Sequence, residues 1–263
     1  MRRNKTVFFG VIFTSILLLS SCTSRKNIAY YQNIEQLNNQ PQQTYEPNLQ
    51  ADDLLSIIVN SETPELTKPY NLYMPSGVES PDFVSITAQK RLQTYLVDNQ
   101  GYINFPVLGK LKLGGLTRAE AEELLTDKLK SSIKDVSISL RILNFKVAVQ
   151  GEVLRPAVHN ITTERVTLPE VLSMSGDLTI YGKRDNILII REIDGKKTYN
   201  YIDITKSDFI NSPFYYLSQN DLVYVEPNKT KVNSSVVGPN ISVILSALSV
   251  LASVVSVIAI VTR

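Results

Sequence analysis

The stretch that decides the fold is residues 95–125, YLVDNQGYINFPVLGKLKLGGLTRAEAEELL. Apolar residues alternate on both sides of the turn 98–101, which is rich in Asn and Gly, and this pattern predicts a β-hairpin. Thr117 and Glu120 then form a T-x-x-E capping box, and Ala and Leu residues follow it at helical spacing. A hairpin followed by a capped helix predicts a mixed α+β domain.

Further strands are predicted on both sides of this stretch. Residues 54–59 form an apolar strand candidate, and residues 60–92, which contain several Pro and Gly, predict a long excursion with little regular structure. After the helix, a pair of strands is predicted at 136–140 and 145–149. The first predicted domain covers residues 48–143.

The second domain is predicted to cover residues 144–228. A second T-x-x-E box, Thr167 with Glu170, opens a short helix. The apolar run 187–191 predicts a strand, and Asp-Gly at 194–195 predicts a hairpin turn after it.

A short repeat relates the start of the first domain to the end of the second. Residues 49–57 align without a gap with residues 217–225, and Asp53 matches Asp221 directly before an apolar strand. An Asp at this position is typical of an Asx-type turn that directs a strand into the core. Asp52 and Asp53 could also be a pair of catalytic carboxylates, but adjacent residues of a strand point to opposite faces. We therefore predict strand-entry turns at Asp53 and Asp221.

The chain is predicted to end in a transmembrane helix over residues 240–263. Residues 241–261 contain no charge, Gly or Pro, and a helix of this length spans about 31 Å, the thickness of a bilayer's hydrocarbon core. Five serines occupy one narrow arc of this helix because their spacing is 4-3-4-3. They are Ser242, Ser246, Ser249, Ser253 and Ser256. Such a stripe faces either a neighbouring helix, as a packing seam, or water, as a pore lining, and the residues leave both interpretations open.

The first 21 residues predict a signal peptide. A basic start is followed by the apolar stretch 7–19 and then by two serines and Cys22. This arrangement resembles a bacterial lipoprotein signal, which implies that Cys22 becomes the acylated N-terminus. An uncleaved signal anchor with an ordinary thiol is the alternative.

Two segments of low apolar content connect these parts. Residues 22–47, rich in Gln, Asn, Tyr and Pro, predict a tether, and residues 229–239 predict a linker. The predicted fold class is therefore α+β, with two small β-rich domains and a C-terminal transmembrane helix.

The composition gives no support to a nucleic-acid partner or to an active site. Without the three basic residues of the signal peptide, 24 basic residues face 25 acidic ones, so there is no electrostatic case for nucleic acid. His159 is the sole histidine, which excludes a multi-His metal site within one chain. Neither G-x-S-x-G nor a phosphate-binding loop occurs. We predict no enzyme, no catalytic residue, no metal and no cofactor.

Several segments together resemble the outer-membrane polysaccharide export family, the Wza-type translocons of capsule and exopolysaccharide. Besides residues 95–125, they are VQGEVLRPAVHNI (149–161), VTLPEVLSMSGDL (166–178) and LSQNDLVYVEP (217–227). The chain departs from the family pattern at Ala157 and at Asn220, where the family usually has Gly.

The resemblance implies a polysaccharide-export domain followed by a β-grasp-like SLBB domain. It implies an outer-membrane lipoprotein whose body lies in the periplasm and whose copies form a homo-oligomeric ring. The C-terminal helices would form the channel, which favours a pore-lining serine stripe. The implied partners are outer-membrane lipid, an inner-membrane polysaccharide co-polymerase and a capsular or exopolysaccharide cargo. A non-conducting lipoprotein scaffold that bridges envelope partners is the alternative.

Overall fold

The structure, a computed structural model, describes residues 25–37, 45–73, 92–193, 195–236 and 240–261. Within the last range, side chains are described for residues 243–254. The predicted signal peptide, the lipidation site Cys22 and Asp194 of the predicted hairpin turn lie outside the described residues, as do residues 74–91 of the predicted excursion.

The described residues form two β-rich parts followed by helices. The strands are β1 Leu54–Asn60, β2 Thr94–Leu96, β3 Tyr102–Phe105, β4 Gly109–Lys112, β5 Ser137–Ile142, β6 Lys146–Gly151, β7 Ala157–Asn160, β8 Val166–Thr167, β9 Gly182–Ile193, β10 Lys196–Ile202, β11 Tyr216–Leu217 and β12 Leu222–Pro227. The helices are α1 Pro64–Thr67, α2 Arg118–Leu129, α3 Leu168–Met174, α4 Lys229–Val236 and α5 Asn240–Val261, with 3-10 turns at Arg25–Asn27, Ile34–Leu37 and Ser207–Asn211. The predicted α+β class is confirmed.

The first part is built around a three-stranded antiparallel sheet in the order β2-β1-β5. Leu55, Ile57 and Val59 of β1 are buried, whereas the residues between them are half-buried. Helix α2 packs against β5 and buries Leu125 and Leu129 in the same core. The alternation in β1 therefore follows from a sheet with one side facing the core.

Both predicted capping boxes are present. The Thr117 hydroxyl accepts from the Glu120 amide at 3.3 Å, and the Glu120 carboxylate accepts from the Thr117 amide at 2.8 Å. Thr167 and Glu170 form the same pair at the start of α3, at 3.3 and 2.7 Å. These helices begin where the sequence predicted because both partners of each cap lie within one turn.

The predicted hairpin around residues 98–101 is wrong in its pairing. The turn itself forms, with Asp98 accepting from the amides of Gln100 and Tyr102 at 2.9 and 2.8 Å. However, β3 pairs with β4, and β2 pairs with β1. Pairing with β1 places Tyr95 of β2 in the first core, where it is buried, and this long-range contact is not visible in the local alternation.

The two strands predicted at 136–140 and 145–149 both form, as β5 and β6. They do not pair with each other, because β5 pairs with β1 whereas β6 pairs with β7 and β12. Residues 143–145 therefore connect two sheets instead of closing a hairpin. Each strand instead completes a different core, with half-buried Ile142 in contact with both.

The second part contains a five-stranded sheet in the order β10-β9-β12-β6-β7. Strands β12 and β6 are parallel, and the other neighbours are antiparallel. The predicted β9–β10 hairpin is confirmed, with Ile193 opposite Lys196. One face of the sheet packs with α3 into a second core. Its fully buried members include Val147, Leu168, Val171, Ile187, Ile189, Leu217, Val223 and Val225.

Part of the predicted tether packs on the second part. The amides of Tyr31 and Gln32 donate to the carbonyls of Ile204 and Thr205 at 3.3 and 2.7 Å. The ring of Tyr31 also stacks on Phe209, with 5.8 Å between centroids. The low apolar content of this segment did not predict these contacts, which use backbone groups and a few tyrosines.

The C-terminal segment is helical over Asn240–Val261, as α5. Within the portion of the chain that the structure describes, no helix combines the length and the hydropathy needed to cross a membrane.

Candidate functional site

The turns that precede β1 and β12 share one geometry. Asp53 and Asp221 each accept, through Oδ2, from the amide of the residue three positions earlier, both at 2.8 Å. The residue before each Asp, Asp52 or Asn220, has a positive φ of 66° or 63°. Asp and Asn tolerate this left-handed conformation better than most residues. The two aligned sequences thus adopt the same turn, and each Asp is fully buried.

The surroundings of the two carboxylates differ. Arg191 donates to Asp221 from Nε at 3.0 Å and from Nη2 at 2.7 Å. Its guanidinium also donates to the Tyr216 carbonyl at 3.0 Å and lies 4.9 Å from the Phe214 ring centroid. Asp53 has no such cation, and its Oδ1 has no hydrogen-bond partner in the described residues. One turn therefore holds a buried ion pair and the other a buried carboxyl group with one unsatisfied oxygen.

This difference affects ionisation. Burial raises the pKa of Asp53 to about 6, opposed by the Gln50 amide. Burial also raises the pKa of Asp221, where hydrogen bonding and the charge of Arg191 act in the opposite direction. Asp53 is therefore expected to titrate in the mildly acidic range.

Removing the Asp53 charge is expected to flatten the pH dependence of stability. The pKa in the folded chain lies above the ordinary value of about 3.9, so the native state holds the proton more tightly. The protonated Asp53 carboxyl group therefore contributes its full share to the free energy of unfolding below about pH 4, and this contribution is lost as the pH rises through about 6. Asp53→Asn should therefore exceed the parent in free energy of unfolding by up to about 3 kcal/mol above pH 6 and match it near pH 4.

Urea unfolding of both proteins between pH 4 and 8 measures this effect. Asp52→Asn, at the exposed neighbouring carboxylate, is the matched control; it should keep most of the pH dependence, because burial raises the pKa of Asp53 more than the charge of Asp52 does. Equal slopes for Asp53→Asn and the parent would show that Asp53 does not titrate in this range.

Asn144 connects the two turns. Its side chain donates to the Asp52 carbonyl and accepts from the Leu54 amide, both at 2.8 Å. Its backbone carbonyl accepts from Gln219 Nε2 at 2.9 Å. A single residue in the connection between β5 and β6 therefore fixes both strand entries relative to each other.

Two open cavities lie beside this connection. One, of about 640 Å³, is lined by both turns, including residues 48–52 and 218–220. The other, of about 620 Å³, is lined by Arg118, Arg141 and Arg165 among others. Arg118 is paired with Glu122 at 3.0 Å and with Glu164 at 3.4 Å, so the charges in this second cavity are mixed. In the described part of the chain, no three His, Cys, Asp or Glu residues are grouped closely enough to hold a metal ion.

His159 has a structural environment. It lies on β7, and its Nε2 is 2.7 Å from Oγ of Ser175, a buried residue at the end of α3. This contact joins the edge strand to the helix. The arrangement gives His159 a packing role between two elements.

The serine stripe on α5 is partly described. Ser246, Ser249 and Ser253 are exposed, and each hydroxyl donates to the carbonyl three residues earlier at 2.9, 2.7 and 2.7 Å respectively. The side chains of Ser242 and Ser256 lie outside the described residues. A hydroxyl that donates within its own helix still has an oxygen that accepts from water or from another helix. The geometry is therefore compatible with a packing seam and with a pore lining.

The sequence analysis did not predict the roles of three residues near the two strand-entry turns, namely Arg191, Tyr45 and Asn144. Arg191 follows an apolar run directly, and a charge at the end of such a run could have indicated a buried ion pair. Tyr45 stacks on Tyr216 with 4.8 Å between centroids and 9° between planes, and Asn144 bridges the turns. No local pattern marks Tyr45 or Asn144, because their partners are distant in the sequence.

The part of the chain that contains the first strand-entry turn is similar to a known protein family. Residues 41–143 match the family described as "Polysaccharide biosynthesis/export protein". This range contains the first sheet, α2 and the turn at Asp53. The resemblance to the polysaccharide export family is thereby confirmed over this range.

Two relatives extend the similarity beyond this domain. They are both named "EPS I polysaccharide export outer membrane protein EpsA", one from Ralstonia solanacearum and one from Ralstonia nicotianae (strain ATCC BAA-1114 / GMI1000). Each is 29% identical to this chain over 195 residues, which is 72% of this chain and 50% of the relative. The chain spans about half the length of these relatives.

Proposed function

We propose that this chain is an outer-membrane lipoprotein that forms an oligomeric channel for the export of capsular or exopolysaccharide. The observation that carries the proposal is the match of residues 41–143 to the polysaccharide export family, over a domain that the structure shows as one core. The names of the two relatives support both the cargo and the outer-membrane location. Transport, not catalysis, is the activity proposed.

Each part of the chain has a role in this proposal. Cys22 is the lipid attachment site, and the two β-rich parts lie in the periplasm, the second as the SLBB-type domain. Copies assemble into a ring, and residues 240–263 of the copies, which the sequence predicts to span a bilayer, together line the exit through the outer membrane. A ring with closed symmetry needs the same contact repeated between neighbours. An inner-membrane polysaccharide co-polymerase delivers the cargo.

Removal of residues 240–263 is expected to abolish export. In a strain that lacks the gene, the full chain should restore surface polysaccharide, whereas the shortened chain should leave it at background, because the body alone cannot provide a path through the membrane. Immunoblots and quantification of surface glycan measure expression and export. The Cys22→Ser variant separates lipidation from conduction, since it should lose the acyl chain while retaining residues 240–263.

Conduction is tested directly with purified protein in liposomes. The full chain should form a closed ring in detergent and release a hydrophilic tracer from vesicles, whereas the shortened chain should not. A full chain that restores export but remains monomeric and passes no tracer would contradict the channel and favour the non-conducting scaffold.

A further inference from the structure

Two adjoining loops of the second part expose large apolar side chains. Leu154 in the β6–β7 connection is 66% exposed, Met174 at the end of α3 is 44% exposed and Ile180 before β9 is 59% exposed. We call these three residues the loop tip. Single exposed apolar residues are normal on a soluble domain, whereas several in adjoining loops are typical of a surface that contacts a protein or a membrane.

Backbone hydrogen bonds join the two loops into one edge. The Leu154 amide donates to the Asp177 carbonyl at 3.0 Å, and the Thr179 amide donates to the Glu152 carbonyl at 3.0 Å. The Leu154 side chain also lies against Gly176, because a Cβ atom added to this glycine would be 3.0 Å from Leu154 Cβ. The loop tip is therefore held in place by the fold of the second part.

The N-terminal end of the described chain lies beside this edge. The Tyr30 hydroxyl donates to Asp177 Oδ1 at 2.8 Å. The 3-10 turn Arg25–Asn27 contacts β9, the strand that follows Ile180. Cys22 precedes this turn by three residues, which span at most about 11 Å. A lipid attached to Cys22 is thus confined to the side of the second part that carries the loop tip.

The C-terminal helices begin at the same place. The Asn228 amide donates to the Tyr181 carbonyl at 2.7 Å, and the Asn228 side chain donates to the Ile180 carbonyl at 3.4 Å. Asn228 Oδ1 in turn accepts from the Lys231 amide in the first turn of α4 at 3.0 Å. The chain that continues to residues 240–263 therefore leaves the second part next to Ile180. Both segments that the sequence predicts to reach a bilayer meet the body at the loop tip.

The charges that border the loop tip largely cancel. Lys231 lies 3.6 Å from Glu152, and Arg155 and Asp177 carry opposite charges. The further lysines, one on each of the two adjoining segments, are Lys26 and Lys229, and both are exposed. Long cationic side chains at the rim of an apolar surface can reach lipid phosphates while their stems remain on the apolar side. The composition therefore favours an apolar contact with lipid, which the lysines assist.

We propose that the loop tip enters the headgroup region of the membrane to which the chain is attached. The inference rests on the proposed function, since it takes Cys22 to be lipidated. The headgroup region is about 5–8 Å thick on each side of the hydrocarbon core, so the short connection from Cys22 keeps the second part within reach of it. A flexible lipid anchor alone would leave the body free to tilt. A second contact, through Leu154, Met174 and Ile180, fixes the orientation of the body relative to the membrane.

Tryptophan reporters test the contact in the full chain. The sequence contains no Trp, so Leu154→Trp and Ile180→Trp each introduce a sole reporter, which is studied in phosphatidylcholine vesicles with or without bromine in the acyl chains. Brominated lipid should lower the emission of both reporters at least about twofold, because a side chain at the boundary between headgroups and acyl chains meets the bromine atoms. Leu96→Trp, at a 58% exposed position of β2 in the first part, is the matched control. Acrylamide in the water, not brominated lipid, should quench it.

A second variant tests whether apolar insertion holds the loops at the membrane. Ile180→Asp in the Leu154→Trp chain should reduce the quenching by brominated lipid at least about twofold, because a carboxylate is costly to remove from water. Ile180→Leu is the matched control and should leave the quenching unchanged. Since Ile180 is 59% exposed, the fold should persist in both variants, as circular dichroism will show. Equal quenching in the two variants would contradict insertion of the loop tip.

The outcomes separate this inference from the proposed function. Loop reporters that acrylamide quenches and brominated lipid does not would overturn the membrane contact, and the channel would still stand if the same vesicles released a hydrophilic tracer. Lipid quenching in vesicles that release no tracer would support the contact and contradict the channel. Quenching that appears only when anionic phosphatidylglycerol is added would show a contact made by the lysines and would overturn the apolar insertion.

Discussion

The Asp221→Asn variant is expected to lose about 3–5 kcal/mol of its free energy of unfolding, because it leaves the guanidinium of Arg191 buried without a counter-charge. The side chain of Arg191 is 10% exposed and that of Asp221 is fully buried, with Nη2 and Oδ2 2.7 Å apart. The asparagine can still accept from the Ser218 amide, so the turn keeps its hydrogen bond. Urea unfolding at neutral pH, followed by fluorescence and circular dichroism, measures the loss.

The matched control is Asp53→Asn, which makes the same change in the same turn where no arginine is present. It should not destabilise the protein at neutral pH. A double variant, Arg191→Met with Asp221→Asn, should recover most of the loss, because it removes the unpaired buried charge while the asparagine still accepts from the Ser218 amide. Equal losses for the two Asp→Asn variants would show that the turn, not the ion pair, stabilises the second domain.

The features that sequence reasoning captured are local. The capping box of Thr117 with Glu120 and the β9–β10 hairpin each depend on groups a few residues apart. Both can therefore be predicted from the residue types and their spacing. The sheet order depends on which distant strand buries more apolar area. The strand β1 pairs with β2 and β5, which lie far along the chain on its C-terminal side, and no local alternation encodes that choice.

In the candidate site too, the local features could be predicted from the sequence and the long-range contacts could not. The repeat that relates Asp53 to Asp221 was visible in the sequence because the turn is compact. The arginine that distinguishes the two positions could not be predicted from the sequence. Arg191 lies on β9 and Asp221 directly precedes β12, and the two residues meet only because these strands are neighbours in the sheet. The apolar run of β9 predicted a strand, but its consequence, a sheet with an uncovered face, became apparent only when the register placed Ile190 beside Tyr199 and Leu222.

Replacing Ser246, Ser249 and Ser253 together with leucine is expected to abolish surface polysaccharide while the mass of the assembled ring stays unchanged. In the proposed channel, the hydroxyl oxygens keep the wall wetted without fixed charge, so that a hydrated glycan can pass without binding tightly. Leucine removes the three central hydroxyls of the five along that edge, and the substitution is repeated in each copy. A narrow apolar passage loses its water, which closes the path to the cargo.

The matched control replaces Val243, Val250 and Val254 with leucine, which adds apolar bulk to α5 outside the stripe and should leave export intact. The two interpretations of the stripe give different results for the serine variant. If the serines form a packing seam, leucine forces neighbouring helices apart, and the ring should lose mass or stability in detergent together with export. If they line the pore, the ring remains and only tracer flux and surface glycan are lost. Normal export from the serine variant would contradict both roles.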